Sequence, residues 1–374
     1  MIKNKIGIIT FHNTANYGAA LQAYATFKII SELHENTEIV DYSNTFRDGK
    51  YSAYHRLYEG WRTLKIVNIL ISLLAVPAII LRNWNFNRFY KLKLRVSSVK
   101  YDGSNFNTIG NSYTKLIAGS DQIWSPKNNG DDYNYLLAAA KSDVKKYSYA
   151  SSFGLQSVPT SKREFYKKFL SEFTSISVRE TSGKEIVQHE LQIDNVRTSV
   201  DPVFLLDKVD LLRLAEASNL KCPDSFSLVY VNDCKFWHPI EKSCTDNVIY
   251  TIGSFLPKHL FSANIRVKNY LGPNEFLKLI NGSTNVFTTS YHAVIVSIIL
   301  QKSFYVFLSG DRGRDLRLIN LLERLELTHR IINKGNQDCV DINYNECIDY
   351  NFAHDTLAGL VEDSLEYIRS VIDD

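Results

Sequence analysis

The sequence predicts an α/β protein built on parallel sheets and divided into two domains, and three observations carry that prediction. First, short apolar runs recur, each ending in small polar residues and leading into a helix-length segment. Second, one stretch shows a whole strand–turn–helix–strand unit. Val286-Phe287-Thr288 ends in Thr289-Ser290-Tyr291-His292, an apolar helix-length run reaches Leu300, and a buried-type run, Phe304 to Leu308, follows. Third, 374 residues is long for one core. A hydrophobic fraction of 45% with 22% charged residues is that of a folded globular chain.

Charge and cysteines exclude several classes. A net charge of +3 argues against a dedicated nucleic-acid binder. The cysteines are Cys222, Cys234, Cys244, Cys339 and Cys347; the count is odd and no Cys-x-x-Cys occurs. Free thiols in a reducing cytoplasm are therefore expected, with no structural zinc and no disulfide framework. The N-terminus runs into a strand without a signal-peptide core, which fits a cytoplasmic protein.

In chain order, Ile6 to Thr10 is the first buried strand. The loop after it contains Asn16-Tyr17-Gly18-Ala19-Ala20-Leu21-Gln22, whose small residues let the backbone approach a ligand as a helix begins. No GxGxxG is present, so dinucleotide binding has no support. Thr37 to Asp41 reads as a second strand, and Tyr42 to Gly60 as a long loop or lid. Ile66 to Leu81 is an apolar run with Pro77, edged by Trp61, Trp84, Arg62, Lys65, Arg82 and Arg88. It is shorter than the ~20 residues that span a bilayer. The readings are a buried helix or a helix pair broken at Pro77, or a helix over 62–82 lying in a membrane interface.

Lys115 to Ala118 is a strand leading into Gly119-Ser120-Asp121-Gln122-Ile123-Trp124, where Trp124 either offers a flat face to a sugar or closes the core. Lys146 to Gly154 repeats the strand-then-polar pattern, and helix-period residues run from Ser161 to Phe173. Ser177-Val178-Arg179-Glu180 puts an arginine and a carboxylate at a strand end; the forked guanidinium suits a carboxylate or phosphate. Asp201-Pro202 marks a junction, after which Ser227 to Val231 opens a fresh series of elements. Pro273 begins an amphipathic helix, Asp311 to Asp315 reads as a charged loop, Leu316 to Leu325 as a helix, and Asp355 to Ile372 as a final helix. Ser290 and His292 stand at a strand end and a helix N-terminus, where free N–H groups and a partial positive charge favour anions.

Taken together, the Asn16, Gly119, Ser177 and Ser290 motifs, with Asp201-Pro202-Val203 and Pro273-Asn274-Glu275-Phe276, resemble the polysaccharide pyruvyl transferase family over roughly residues 5 to 330. The resemblance implies a GT-B-like architecture of two Rossmann-like domains facing a cleft. The expected division is 1–195 for the acceptor side, 196–345 for the donor side and 346–374 for a C-terminal helix. It implies phosphoenolpyruvate as co-substrate, without cofactor or metal, and a pyruvate ketal formed on a sugar of a surface polysaccharide or lipid-linked glycan, at the inner face of the cell membrane.

Carried over, Arg179 holds the donor's carboxylate or phosphate, and His292 contacts the donor and serves as general acid, with Ser290 and Tyr291 beside it. Some members carry an arginine two residues before the histidine, where this chain has Ser290; Arg312 or Arg314 then supplies the missing cation. Asp121 or Glu180 takes the acceptor proton. Asn16, Tyr17, Gly18, Ser120, Asp121, Gln122 and Trp124 are the expected acceptor contacts. The alternatives are a GT-B glycosyltransferase using a nucleotide sugar, and a non-catalytic glycan-binding member of a polysaccharide assembly complex.

Overall fold

Two five-stranded parallel sheets, wound in the same order, form the framework. The computed structural model describes residues 4–47, 66–140, 143–244, 246–332 and 347–374, with the side chains of 66–75 and 243 left aside. In the first sheet, β1 (Ile6–Ile9) is central, flanked by β2 (Thr37–Tyr42) and β3 (Val96–Tyr101) on one side and by β4 (Lys115–Ala118) and β5 (Lys145–Ser148) on the other. Strands β1 and β4 are buried along their whole length, as a strand covered on both faces must be, and this is why they read as mainly apolar runs. Beyond β5, parallel bridges from Tyr147 to Ser175 and from Ser151 to Val178 lead to the pair β6 (Ile176–Val178) and β7 (Val196–Thr198).

In the second sheet, β8 (Ser227–Tyr230) is central. Next to it lie β9 (Ile249–Thr251) and then β10 (Ile265–Val267); on its other side lie β11 (Asn285–Thr288) and β12 (Ser303–Val306). Each sheet thus reverses its winding beside its first strand, between β1 and β4 and between β8 and β11. Outside the strand C-termini at such a reversal, the loops part and open a ligand crevice.

The chain forms two compact units: 1–76 with 87–205 and 360–374, and 77–86 with 206–359. The division after Leu205 lies later than the expected 195/196, and the final helix is not a separate piece. That helix, Asn351–Asp373, spends its first turns in the second unit, where the Tyr350 hydroxyl just before it donates to the Lys302 carbonyl at 2.6 Å. Its later turns belong to the first unit, where the Tyr367 hydroxyl donates to the Ser148 carbonyl at 2.9 Å and Lys115 Nζ to the Val371 carbonyl at 3.2 Å.

Ile66–Lys93 is one helix with Pro77 inside it, not a pair broken there. No helix among the described residues is long and apolar enough to cross a membrane. Trp61, Arg62, Lys65 and residues 48–60 of the expected lid lie outside the described residues, as does Cys339.

The stretch read as a charged loop, Asp311 to Asp315, is instead the start of the helix Arg312–Arg324. Asp311 caps it, accepting from the Gly313 and Arg314 N–H groups at 3.1 and 3.2 Å. Asp315 reaches back and accepts from the Ser309 and Gly310 N–H groups, both at 2.8 Å. Reciprocal capping of this kind lets a charged sequence turn helical.

Candidate active site

Both winding reversals carry polar side chains, and each is described within its own unit. In the first unit, β1 ends at Ile9 and is followed by a loop that closes when Asn16 caps the helix Tyr17–Leu33, its carboxamide oxygen accepting from Ala19 N–H at 3.1 Å. Gln22, on the second turn of that helix and fully buried, ties the two sides of the reversal together. Its Nε2 donates to Thr10 Oγ1 at 2.8 Å, and its Oε1 accepts from Ser120 N–H, beyond β4, at 3.1 Å.

The backbone after β4 is shaped by necessity. Gly119 has φ +144°, and a Cβ there would lie 2.0 Å from the Tyr149 carbonyl oxygen, so only glycine fits. Asp121 follows at φ +66°, a conformation that costs a non-glycine residue energy and clusters at functional sites. Its carbonyl is held by the N–H groups of Ile123 at 2.8 Å and Ser152 at 3.0 Å. The strained turn leaves the Asp121 carboxylate partly exposed at the sheet edge.

Arg179, at the end of β6, lies at the centre of a carboxylate cluster. Its Nη1 donates to Asp201 Oδ2 at 2.7 Å, its Nε donates to Glu180 Oε2 at 3.4 Å, and its Nη2 lies 3.8 Å from Asp121 Oδ1. Asp201 is fully buried and also accepts from Val203 N–H at 3.0 Å. Glu180, partly exposed, accepts from the Ser152 hydroxyl. One cation thus neutralises part of a three-carboxylate cluster whose members Asp121 and Glu180 reach solvent. Such carboxylates can accept a proton from a sugar hydroxyl.

The arrangement corrects several expectations. Arg179, with its side chain 2% exposed, is the counter-ion of this cluster and lies in the first unit. Trp124 is fully buried, donating from Nε1 to the Tyr135 carbonyl at 3.0 Å and packing edge-on against Phe153, so it closes the core and shows no face to a sugar. Ser120 is buried with its hydroxyl on the Ala150 carbonyl at 2.8 Å, and Tyr17 and Gly18 are buried too. Of the expected acceptor contacts, Asn16, Asp121 and Gln122 retain exposed surface.

One residue not singled out from sequence stands at the same edge. His12, buried just past β1, has Nδ1 3.1 Å from the Thr10 carbonyl and Nε2 3.3 Å from Asp41 Oδ1. Both ring nitrogens thus lie within reach of an oxygen atom. The hydrogen bond from His12 outweighs partial burial and, with the nearby charges of His12 and Lys100, holds the Asp41 carboxyl below its ordinary value. A histidine directly after the first strand was the available signal, since that position opens onto the reversal.

In the second unit, the Thr288 hydroxyl donates to the Tyr230 carbonyl at 2.8 Å and accepts from Ser290 N–H at 2.9 Å, stitching β8 to β11 at the reversal. Ser290 caps the helix Tyr291–Ile299, accepting from Ala293 N–H at 3.4 Å. His292 occupies the first turn and is largely buried, while Tyr291 is half-buried, with the Arg317 guanidinium 5.6 Å from its ring centre. Past β12, the loop ends at Asp311, and Arg312 and Arg314 follow in the first turn of the next helix, both exposed; Arg314 Nε lies 3.8 Å from Asp311 Oδ2. Lys235, past β8, donates to the Ser309 carbonyl at 3.4 Å. Two helix N-termini and several cations therefore share this sheet edge, a setting that favours an anion. Among the described residues no group of three or more His, Cys, Asp or Glu is arranged to hold a metal.

The sequence profile described as polysaccharide pyruvyl transferase matches residues 16–311, from the cap of the helix that follows β1 to the residue before Arg312. No curated protein matches the chain. Among solved structures, the UDP-GlcNAc 2-epimerase of Methanocaldococcus jannaschii aligns over 97% of this chain and 93% of its own, with TM-score 0.50 and 11% identity. UGT71G1 of Medicago truncatula, solved with UDP-glucose, aligns over 100% and 99% with TM-score 0.47 and 10% identity. At such identities the epimerase likeness speaks to fold alone: two Rossmann-like α/β units of the GT-B-like class.

Proposed function

The chain belongs to the polysaccharide pyruvyl transferase family, and from that premise we propose that it transfers the pyruvyl group of phosphoenolpyruvate to two hydroxyls of a glycan sugar, forming a ketal. The family match over 16–311 carries this reading. The geometry adds two supports. A partly exposed carboxylate cluster suits an acceptor alcohol, and a cationic edge with two helix N-termini suits a donor bearing a carboxylate and a phosphate.

In the proposed reaction, an acid protonates the donor's methylene carbon, leaving an oxocarbenium-like centre at the next carbon. A sugar hydroxyl attacks that centre and gives its proton to a base. The C–O bond to phosphate breaks, phosphate departs, and a second hydroxyl attacks the renewed oxocarbenium and loses its proton, closing the ring. Atoms balance as phosphoenolpyruvate plus a diol giving a ketal plus inorganic phosphate. His292 is the proposed acid, since imidazole carries a proton near neutral pH. Ser290, Tyr291, Arg312 and Arg314 are the proposed donor contacts, and Asp121 or Glu180 is the proposed base. Arg179 becomes a positioning residue that holds both carboxylates.

The test is a thermal-shift titration with phosphoenolpyruvate beside a panel of nucleotide sugars, followed by phosphate release in the presence of diol-bearing glycans. A ligand that binds only the folded state raises stability by about 2.7 kcal/mol at 100 times its Kd. Stabilisation by phosphoenolpyruvate, lost in the double variant Arg312→Ser, Arg314→Ser, together with acceptor-dependent phosphate release, is expected. Stabilisation by a nucleotide sugar alone would replace this reading with glycosyl transfer. Phosphoenolpyruvate binding without turnover on any glycan would favour a non-catalytic role.

A further inference from the structure

The helix Ile66–Lys93 presents a second face that neither sheet edge explains. Its inward face is aromatic: Phe86, Phe89 and Tyr90 are buried, the Tyr90 hydroxyl donates to the Thr14 carbonyl at 2.8 Å, and Phe89 packs edge-on against Tyr24. Among its described side chains, those turned to solvent fall at 77, 80, 81, 84, 87, 88, 91 and 92, the spacing of one helical stripe. On a helix held by one buried face, that stripe is normally polar. Here it carries Ile80 at 62% exposure and Leu81 at 41%, continues with Trp84 at 55%, and ends in Arg88, Lys91 and Leu92.

The order along the stripe is aliphatic, then tryptophan, then basic. That is also the order of depth in a bilayer interface, from acyl boundary to headgroup level to phosphate. Charge points the same way. The 28-residue helix contains no Asp or Glu, and its cations are Arg82, Arg88, Lys91 and Lys93. Arg82 is turned to the protein, its Nη1 donating to the Asn269 carbonyl at 3.2 Å. Arg88 and Lys91 lie exposed on the stripe itself. The same stripe of a second copy would offer Arg88 and Lys91 no carboxylate, whereas an anionic lipid surface carries the opposite charge.

We propose that this stripe docks the protein on an anionic lipid bilayer, with Ile80, Leu81 and Trp84 entering the acyl boundary and Arg88 and Lys91 meeting lipid phosphates. The helix dips into the interface at its Ile80 end, with its Lys91 end nearer the headgroups, and does not cross the bilayer. This docking does not depend on the identity of the donor.

The test is flotation of the full chain with phosphatidylglycerol vesicles and, separately, phosphatidylcholine vesicles, read together with tryptophan emission. Binding to the anionic vesicles, weakened by salt, is expected, with a blue shift that is lost in Trp84→Phe; Trp124 and Trp237 are fully buried and should not move. Arg88→Ser and Lys91→Ser should each weaken binding roughly fivefold. Ile80→Ser with Leu81→Ser should reduce it by about tenfold or more while the melting temperature stays unchanged. Absence of flotation with phosphatidylglycerol overturns the proposal. So does sedimentation showing a dimer that the Ile80 and Leu81 substitutions dissociate while vesicles remain unbound, because a second copy would then occupy the stripe.

Discussion

Replacing Arg179 with alanine removes the cation from a cluster in which Asp201 is fully buried, and an uncompensated buried carboxylate is costly. We expect Arg179→Ala to lower unfolding free energy by about 3–5 kcal/mol in denaturant titrations, and Arg179→Lys to recover part of it. The two exposed carboxylates separate by activity: the proposed base should lose about 10²–10⁴ in kcat on conversion to its amide, so Asp121→Asn and Glu180→Gln assayed side by side identify it. His12 and Asp41 give a pH signature. The Asp41 carboxyl is held below its ordinary value, so its bond to His12 stabilises the fold fully above the unfolded value, near pH 4, and that contribution is lost as pH falls through the lower folded value. The difference in melting temperature between the wild type and Asp41→Asn should therefore shrink as pH falls below about 4. At this scale the sequence revealed Asp121, Arg179 and Glu180 as sheet-edge groups. It did not reveal that they meet, because Asp201, which binds Arg179 most closely, lies 22 residues on in what read as a domain junction. Nor did the burial of Trp124 show, since a lone aromatic after a polar turn has no periodicity to mark the core face.

Elements were legible where burial on both faces left a mainly apolar run, as in β1, β4 and β11. Strand β3, Val-Ser-Ser-Val-Lys-Tyr, has three consecutive exposed residues, and β7 is three residues at a sheet margin; neither carries enough pattern to be seen. The start of the helix at Arg312 was hidden because its signal is a pair of aspartates bonding to backbone, not a hydrophobic stripe. The turn after β4 is the element whose chemistry is most constrained. Gly119→Ala would set a methyl group against the Tyr149 carbonyl oxygen in a backbone conformation alanine resists. We expect a marked drop in melting temperature, with activity lost in whatever folded protein remains, because Asp121 is aimed by that turn. Gln22→Ala should cost about 1–3 kcal/mol by leaving the Ser120 N–H and Thr10 hydroxyl without their buried partner, a loss read in the same melts.

At the scale of the molecule, the two sheets repeat one winding order; length and two separate series of strand–helix signals predicted two domains, and the family resemblance implied that both are Rossmann-like. The path of the chain between the units was not predictable, because the final helix shows the same amphipathic pattern whichever unit it packs on. Residues 360–374 complete the first unit: Tyr367 stacks on Tyr149 and bonds to the end of β5, and Lys115 of β4 reaches the last turn of the helix. During synthesis, β1 to β7 leave the ribosome well before this covering segment, with all of residues 206–359 made in between. The part of the protein made first is thus the part finished last, and its β5 flank waits through the whole translation of its neighbour.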